Sequence, residues 1–63
     1  MPEPVDLYKV LQVDPEAEHE VVQAAYRRLA RKYHPDLAPG PEAAARMASI
    51  NAAWDRIKRE RGI

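Results

Sequence analysis

The residues best suited to chemistry in this 63-residue chain form the tripeptide His34-Pro35-Asp36. An imidazole can donate or accept a proton near neutral pH, and a carboxylate can pair with a cation. The proline between them fixes φ and cannot continue a helix, so it stiffens the backbone. We therefore expect a rigid loop that displays both polar side chains. The simpler alternative for three such common residues is an ordinary turn in which Pro35 ends a helix.

Four basic side chains precede this tripeptide at helical spacing. Arg27 and Arg31 are four residues apart, as are Arg28 and Lys32, so the four form two rows on one helix face. The helix dipole explains part of this pattern, because acidic residues begin the same segment and basic residues end it. A concentrated positive patch beside a rigid acidic tip also favours docking onto a negatively charged protein surface.

An enzyme or a metal site has little support in this sequence. The candidate groups are Asp14, His19, His34 and Asp36. The two histidines stand at opposite ends of one predicted helix, about 20 Å apart by helix rise, so they cannot share a metal ion. No nucleophile occurs together with a base and an orienting group. We predict no enzyme activity, no metal and no cofactor, and we expect His19 to be a solvated surface residue.

Length and composition restrict the chain to one small domain, expected over residues 1–63. Hydrophobic residues make up 46% of the chain, but eleven of them are alanine, which leaves only a minimal core. There is no cysteine to form a disulfide. The start, Met1-Pro2-Glu3-Pro4, does not resemble a signal peptide, and no apolar run reaches the roughly 20 residues that span a bilayer. We expect a monomeric, cytoplasmic protein without membrane contact.

Prolines and glycines divide the chain into helices. We predict three helices, at residues 7–11, about 16–33 and about 41–59, with a turn at residues 13–16. The second helix is expected to start at about Glu16 or Glu18. Asp6 is suited to cap the first helix. Pro35 requires the second helix to end before it, and Pro41 suits the first turn of the third helix. Gly62 is expected to end the third helix.

Apolar residues recur at helical spacing along both long helices. In the first they are Val22, Ala25, Tyr26, Leu29 and Tyr33, and in the second Ala43, Met47, Ile50, Trp54 and Ile57. Two long helices joined by a short loop must be antiparallel, so these two faces are expected to pack together. The short first helix can place Leu7, Tyr8, Val10 and Leu11 against one side of the pair. The predicted fold class is therefore all-α, an antiparallel helical hairpin with a short N-terminal helix.

Three parts of the chain closely resemble the J-domain of DnaJ-type co-chaperones. They are residues 6–13 (DLYKVLQV), residues 25–36 (AYRRLARKYHPD), and the downstream set Met47, Ile50, Asn51, Ala53, Trp54 and Ile57. The resemblance covers about residues 5–58, nearly the whole chain. It implies a J-domain fold in which the family's short fourth helix is absent or vestigial.

The resemblance also implies a function and a set of contact residues. J-domains bind heat-shock protein 70 (DnaK-type) chaperones and stimulate their ATPase, which promotes folding of client proteins, and they perform no bond chemistry themselves. The positions that match the family's partner contacts are Tyr26, Arg27, Arg28, Arg31, Lys32, His34, Pro35 and Asp36. In this family's terms Asp36 should pair with an arginine of the partner. Tyr26 borders the apolar arc, so a half-buried core role remains open for it.

A small helical module that binds nucleic acid through the basic helix face is the alternative. Clustered basic side chains can contact phosphates. Against this alternative, the chain has a net charge of zero, and Glu16, Glu18 and Glu20 would repel a phosphate backbone. We therefore expect a protein partner and no nucleic acid.

Overall fold

The computed structural model describes residues 6–63 and contains three helices and no strand in this part of the chain. They are α1 (Leu7–Val10), α2 (His19–Lys32) and α3 (Pro41–Arg61). The predicted all-α class is confirmed, and no fourth helix follows α3 within these residues. Residues 1–5, which include the predicted start of the domain, lie outside the described part.

Helix α1 is short, and its two ends are held locally. The Asp6 carboxylate accepts hydrogen bonds from the backbone N–H groups of Tyr8 and Lys9, both at 3.1 Å, which confirms the predicted cap. The helix ends at Val10, one residue before the predicted end at Leu11, which is the C-cap and is fully buried. Gln12 then takes a left-handed φ of 60°, which turns the chain away from the helix axis.

Helix α2 begins at His19 with Glu18 as its N-cap, so the later of the two predicted starts, Glu16 or Glu18, is the closer one. The Asp14 carboxylate accepts from the Glu16 N–H at 2.7 Å, and the Ala17 N–H donates to the Asp14 carbonyl at 2.9 Å, so these residues form the predicted turn instead of helix. The Ala17 carbonyl, which a longer helix would use, accepts from Arg61 Nη2 at 2.9 Å. The local turn at Asp14 precedes the helix, and the contact from Arg61 joins this turn to the end of α3.

The loop between the long helices and the end of α3 follow the proline and glycine pattern. Helix α2 stops at Lys32, with Tyr33 as its C-cap, and Pro41 opens α3. Gly62 adopts a left-handed φ of 71° and ends α3, as predicted, although the helix extends two residues beyond the predicted end at about 59.

The core lies where α1 and α2 pack against α3. Its buried members are Leu11, Val22, Leu29, Ile50, Ala53, Trp54 and Ile57. His19 at the start of α2 contacts Trp54 late in α3, whereas Tyr33 just after α2 lies near Arg46 early in α3. The two long helices are therefore antiparallel. The predicted apolar faces do meet, with Tyr26, Tyr33 and Met47 only partly buried at their edges.

None of the helices in residues 6–63 combines the length and the apolar character needed to cross a membrane.

Candidate functional site

The tripeptide His34-Pro35-Asp36 begins one residue after the C-cap of α2 and lies at the closed end of the hairpin. All three residues are exposed. The side chains of His34 and Asp36 are 56% and 88% accessible to solvent. The chain therefore presents this imidazole and this carboxylate to the outside, where another macromolecule could contact them.

Backbone hydrogen bonds give this loop a defined shape. The His34 carbonyl accepts from the N–H of Leu37 at 2.9 Å and from the N–H of Ala38 at 2.8 Å. The imidazole Nδ1 of the same residue accepts from the backbone N–H of Asp36 at 3.2 Å. His34 thus organises the turn through both its backbone and its side chain, while Pro35 fixes φ between them.

The hydrogen bond to Nδ1 also determines where the imidazole carries its proton. A nitrogen that accepts a hydrogen bond is unprotonated, so the neutral ring carries its hydrogen on Nε2. The Asp36 carboxylate lies 3.7 Å from Nδ1, but this contact is not an ion pair while Nδ1 is an acceptor. The carboxylate is exposed, so an external cation can reach it.

The basic side chains that precede the loop do not all share one surface. Arg27, Arg28 and Arg31 are exposed on α2 and line one open depression. Its remaining lining residues are Glu20, Gln23 and Ala24. Lys32 is different, because its Nζ lies 5.4 Å from the centroid of the Tyr33 ring. The cationic face of α2 is therefore formed mainly by three arginines.

Tyr26 has an intramolecular role. Its ring stacks on Trp54 with centroids 5.2 Å apart, and its hydroxyl donates to Asn51 Oδ1 at 2.8 Å. Tyr26 is half-buried, so one edge of the ring faces solvent. It joins α2 to α3 beside the cationic face, as in the half-buried role that the sequence left open. The partner contact of Tyr26 stays a prediction.

His19 does not have the fully solvated environment that the sequence predicts. Its ring stacks on Trp54 at 5.6 Å, and Nδ1 is buried without a hydrogen-bond partner in the described part of the chain. Positions 19 and 26 are two helical turns apart on α2, which places Trp54 between their rings. Across residues 6–63 no group of three histidine, aspartate or glutamate side chains is placed to hold a metal ion.

Two surface features were missed by the sequence analysis. Leu37, directly after the tripeptide, is 69% exposed although it is a large apolar residue. Arg61, near the end of α3, reaches across to Tyr8 and Ala17. No local pattern predicts either outcome, because each depends on how distant segments pack.

The loop and the arginine face of α2 together offer charged groups that a partner could contact. An anionic, exposed tip stands at one end of α2, and the arginine face runs along the same helix towards it. Such an arrangement can make charge-assisted contacts to a partner that carries complementary charges.

Comparison with known proteins agrees with the resemblance to J-domains that the sequence indicated. The sequence model of the DnaJ domain matches residues 6–61. Curved DNA-binding proteins of Escherichia coli, Citrobacter koseri and Salmonella arizonae are each 42% identical over 55 residues, which cover 87% of this chain. The matched segment is 18% of the length of these relatives, so the chain spans less than a fifth of each.

Proposed function

The chain belongs to the DnaJ domain family, a family of non-catalytic co-chaperone modules, and from this premise we propose that it docks on a heat-shock protein 70 chaperone and stimulates its ATPase. The proposed contact surface consists of the His34-Pro35-Asp36 loop and the arginine face of α2. The proposed outcome is more efficient folding of client proteins by the chaperone. A cytoplasmic location, a monomeric state and a single domain over residues 1–63 remain predictions.

The observation that carries this proposal is the exposed and ordered loop. Asp36 is 88% accessible, yet its backbone N–H is held by His34 Nδ1. A carboxylate on a backbone that is held in this way loses less backbone freedom when it meets a partner arginine. The same carboxylate on a flexible loop would lose much of its binding free energy to ordering.

The arginine face supplies the second part of the proposed contact. Arg27, Arg28 and Arg31 line one depression and are all exposed, so they can approach an acidic surface of the chaperone together. Exposed charges of this kind accelerate association more than they strengthen the final complex. The loop would then discriminate between conformations of the partner. A domain can shift a partner's equilibrium only if it binds one conformation better than another.

The proposal is tested by single-turnover ATP hydrolysis of a DnaK-type chaperone with and without this chain. We expect the chain to accelerate hydrolysis and Asp36→Asn to abolish the acceleration while the far-UV circular dichroism spectrum is unchanged. Glu42→Gln is the matched control, because it removes one exposed carboxylate in the first turn of α3, outside the proposed contact surface. Normal stimulation by Asp36→Asn would overturn the assignment of the loop.

Nucleic-acid binding is the second candidate function, favoured by the name of the relatives and by the three clustered arginines. The relatives are called curved DNA-binding proteins, but they are much longer than the matched segment. Glu20 lines the same depression as the arginines and opposes a phosphate backbone. Titration with duplex DNA at about 50 and 200 mM salt separates the candidates, since phosphate binding weakens steeply with salt. Micromolar binding that falls in this way would favour DNA.

A further inference from the structure

We propose that Leu37 is a specificity-determining contact, which inserts into an apolar pocket of the chaperone beside the cation that pairs with Asp36. This inference rests on the proposed function, since it concerns the same docking surface. It adds a chemical description of the partner, which must offer an apolar pocket next to a positive charge.

The first support is the exposure of Leu37. Its side chain is 69% accessible, the highest value among the large hydrophobic residues of the described chain. Leu11 and Leu29, by contrast, are at most 3% exposed. A domain with so few large apolar side chains gains stability by burying each of them. Leu37 makes no such contribution, so its side chain is available for a partner to bury.

The second support is that Leu37 is held in place. Its backbone N–H donates to the His34 carbonyl at 2.9 Å, and the next residue, Ala38, donates to the same oxygen at 2.8 Å. Leu37 therefore belongs to the same ordered turn as Asp36. A residue whose backbone is held in a turn before binding loses less backbone entropy when a partner buries its side chain.

The third support is the chemistry of the surroundings. No lysine or arginine occurs between Lys32 and Arg46, and Pro35 and Pro39 are exposed on either side of Leu37. A neighbouring apolar depression is lined by Tyr33, Pro35, Ala38, Pro39, Gly40, Ala44 and Met47. Leu37 does not line this depression and so is not buried there. The tip is thus apolar and acidic, whereas the α2 face is cationic, and one partner would need to match both.

An apolar contact and an ionic contact respond differently to salt, which gives the proposal a sharp test. Salt screens exposed charges but does not weaken burial of apolar surface. Truncation of Leu37 should therefore weaken docking by a factor that does not fall as salt increases. Truncation of Arg28 should weaken docking by a factor that falls towards one as the salt concentration increases.

The experiment measures chaperone ATPase stimulation against the concentration of this chain, at about 50 and 300 mM salt. We expect Leu37→Ala to raise the half-maximal concentration by about tenfold at both salt concentrations, from the loss of most of a leucine's burial. The maximal stimulation should stay the same, because the Asp36 contact is intact. Leu37→Met, which keeps the apolar volume, should behave almost as the unmodified chain does.

Ile63→Ala is the matched control, since Ile63 is 62% exposed and follows the far end of α3, away from the tip. We expect Ile63→Ala to leave both the half-maximal concentration and the maximal stimulation unchanged. Equal half-maximal concentrations for Leu37→Ala and the unmodified chain would overturn the Leu37 contact and leave the proposed function standing. If the tenfold rise in half-maximal concentration for Leu37→Ala disappeared at high salt, the contact made by Leu37 would not be apolar. Absence of stimulation by the unmodified chain would overturn both proposals.

Discussion

His34 uses the two nitrogens of its ring for different purposes. Nδ1 accepts the backbone N–H of Asp36 and shapes the loop, so Nε2 is the nitrogen that can donate to a partner. A conservative substitution can reproduce only one of these positions. The amide oxygen of asparagine can replace Nδ1, whereas the longer glutamine places its amide near Nε2.

We predict that His34→Asn retains part of the ATPase stimulation and that His34→Gln loses it. The physical reason is that asparagine can still accept the Asp36 N–H and keep the carboxylate positioned, while glutamine leaves that N–H without its acceptor. The measurement is single-turnover ATP hydrolysis by the chaperone, together with hydrogen exchange of the Asp36 amide. The exchange reports the loop itself, because the lost hydrogen bond should accelerate exchange in His34→Gln.

The opposite order of activities would show that Nε2 makes the essential contact and that the hydrogen bond to Nδ1 is secondary. If both variants stimulated the ATPase as well as the unmodified chain does, His34 would not be required. Both variants should unfold at the temperature of the unmodified chain, since the side chain is exposed.

At the scale of the helices, Arg61 connects segments that would otherwise be held only by apolar contacts. Its Nε donates to the Tyr8 hydroxyl at 3.2 Å, and its guanidinium lies 5.3 Å from the centroid of the same ring. Its Nη2 donates to the Ala17 carbonyl at 2.9 Å. One side chain at the end of α3 thus fastens α1 and the turn before α2.

We predict that Arg61→Ala lowers the free energy of unfolding by about 1–2 kcal/mol, because partly buried, charge-assisted hydrogen bonds are lost. The measurement is urea unfolding followed by circular dichroism, combined with hydrogen exchange in α1. Protection should fall in α1 and change little in the centre of α2.

Arg59→Ala is the matched control for this substitution, because Arg59 has the same charge and stands on the same turn of α3 but is exposed. It should change the free energy of unfolding by less than about 0.5 kcal/mol. Equal losses for the two variants would show that the charge at this end of α3, and not the contacts of Arg61, stabilises the domain.

At the scale of the whole molecule, stability depends on one central aromatic residue. Trp54 is 8% exposed and stacks with His19 and Tyr26, and Lys58 Nζ lies 5.6 Å from its ring centroid. The buried cluster around it is small. Domains of this size rarely have more than about 3–5 kcal/mol of stability from such a core.

We predict that Trp54→Ala unfolds most of the domain at room temperature, since truncation of a buried tryptophan costs about 3–5 kcal/mol. Trp54→Phe keeps an aromatic ring between His19 and Tyr26 and should retain a cooperative thermal transition at a lower midpoint. Circular dichroism melting curves measure both effects. A cooperative transition of Trp54→Ala near that of the unmodified chain would contradict the central role of this residue.

The sequence by itself determined the helices and the exposed tip. Proline and glycine positions set the ends of α3 and the C-terminal end of α2 to within one or two residues, because these residues restrict or permit backbone angles locally. The spacing of Val22, Leu29, Ile50 and Ile57 predicted the faces that pack, since helical periodicity is a local property. Residues 6–13 and 25–36, taken together with the set of residues from Met47 to Ile57, were sufficient to indicate the family.

Only the tertiary structure decided which polar and apolar side chains make contacts between segments that are distant in the sequence. Arg61 donates to the carbonyl of Ala17, which lies 44 residues earlier in the sequence. The stack of His19, Trp54 and Tyr26 and the exposure of Leu37 likewise depend on how α2, α3 and their loop fit together. Local backbone preferences act over a few residues, whereas these contacts form only when distant segments have already come together.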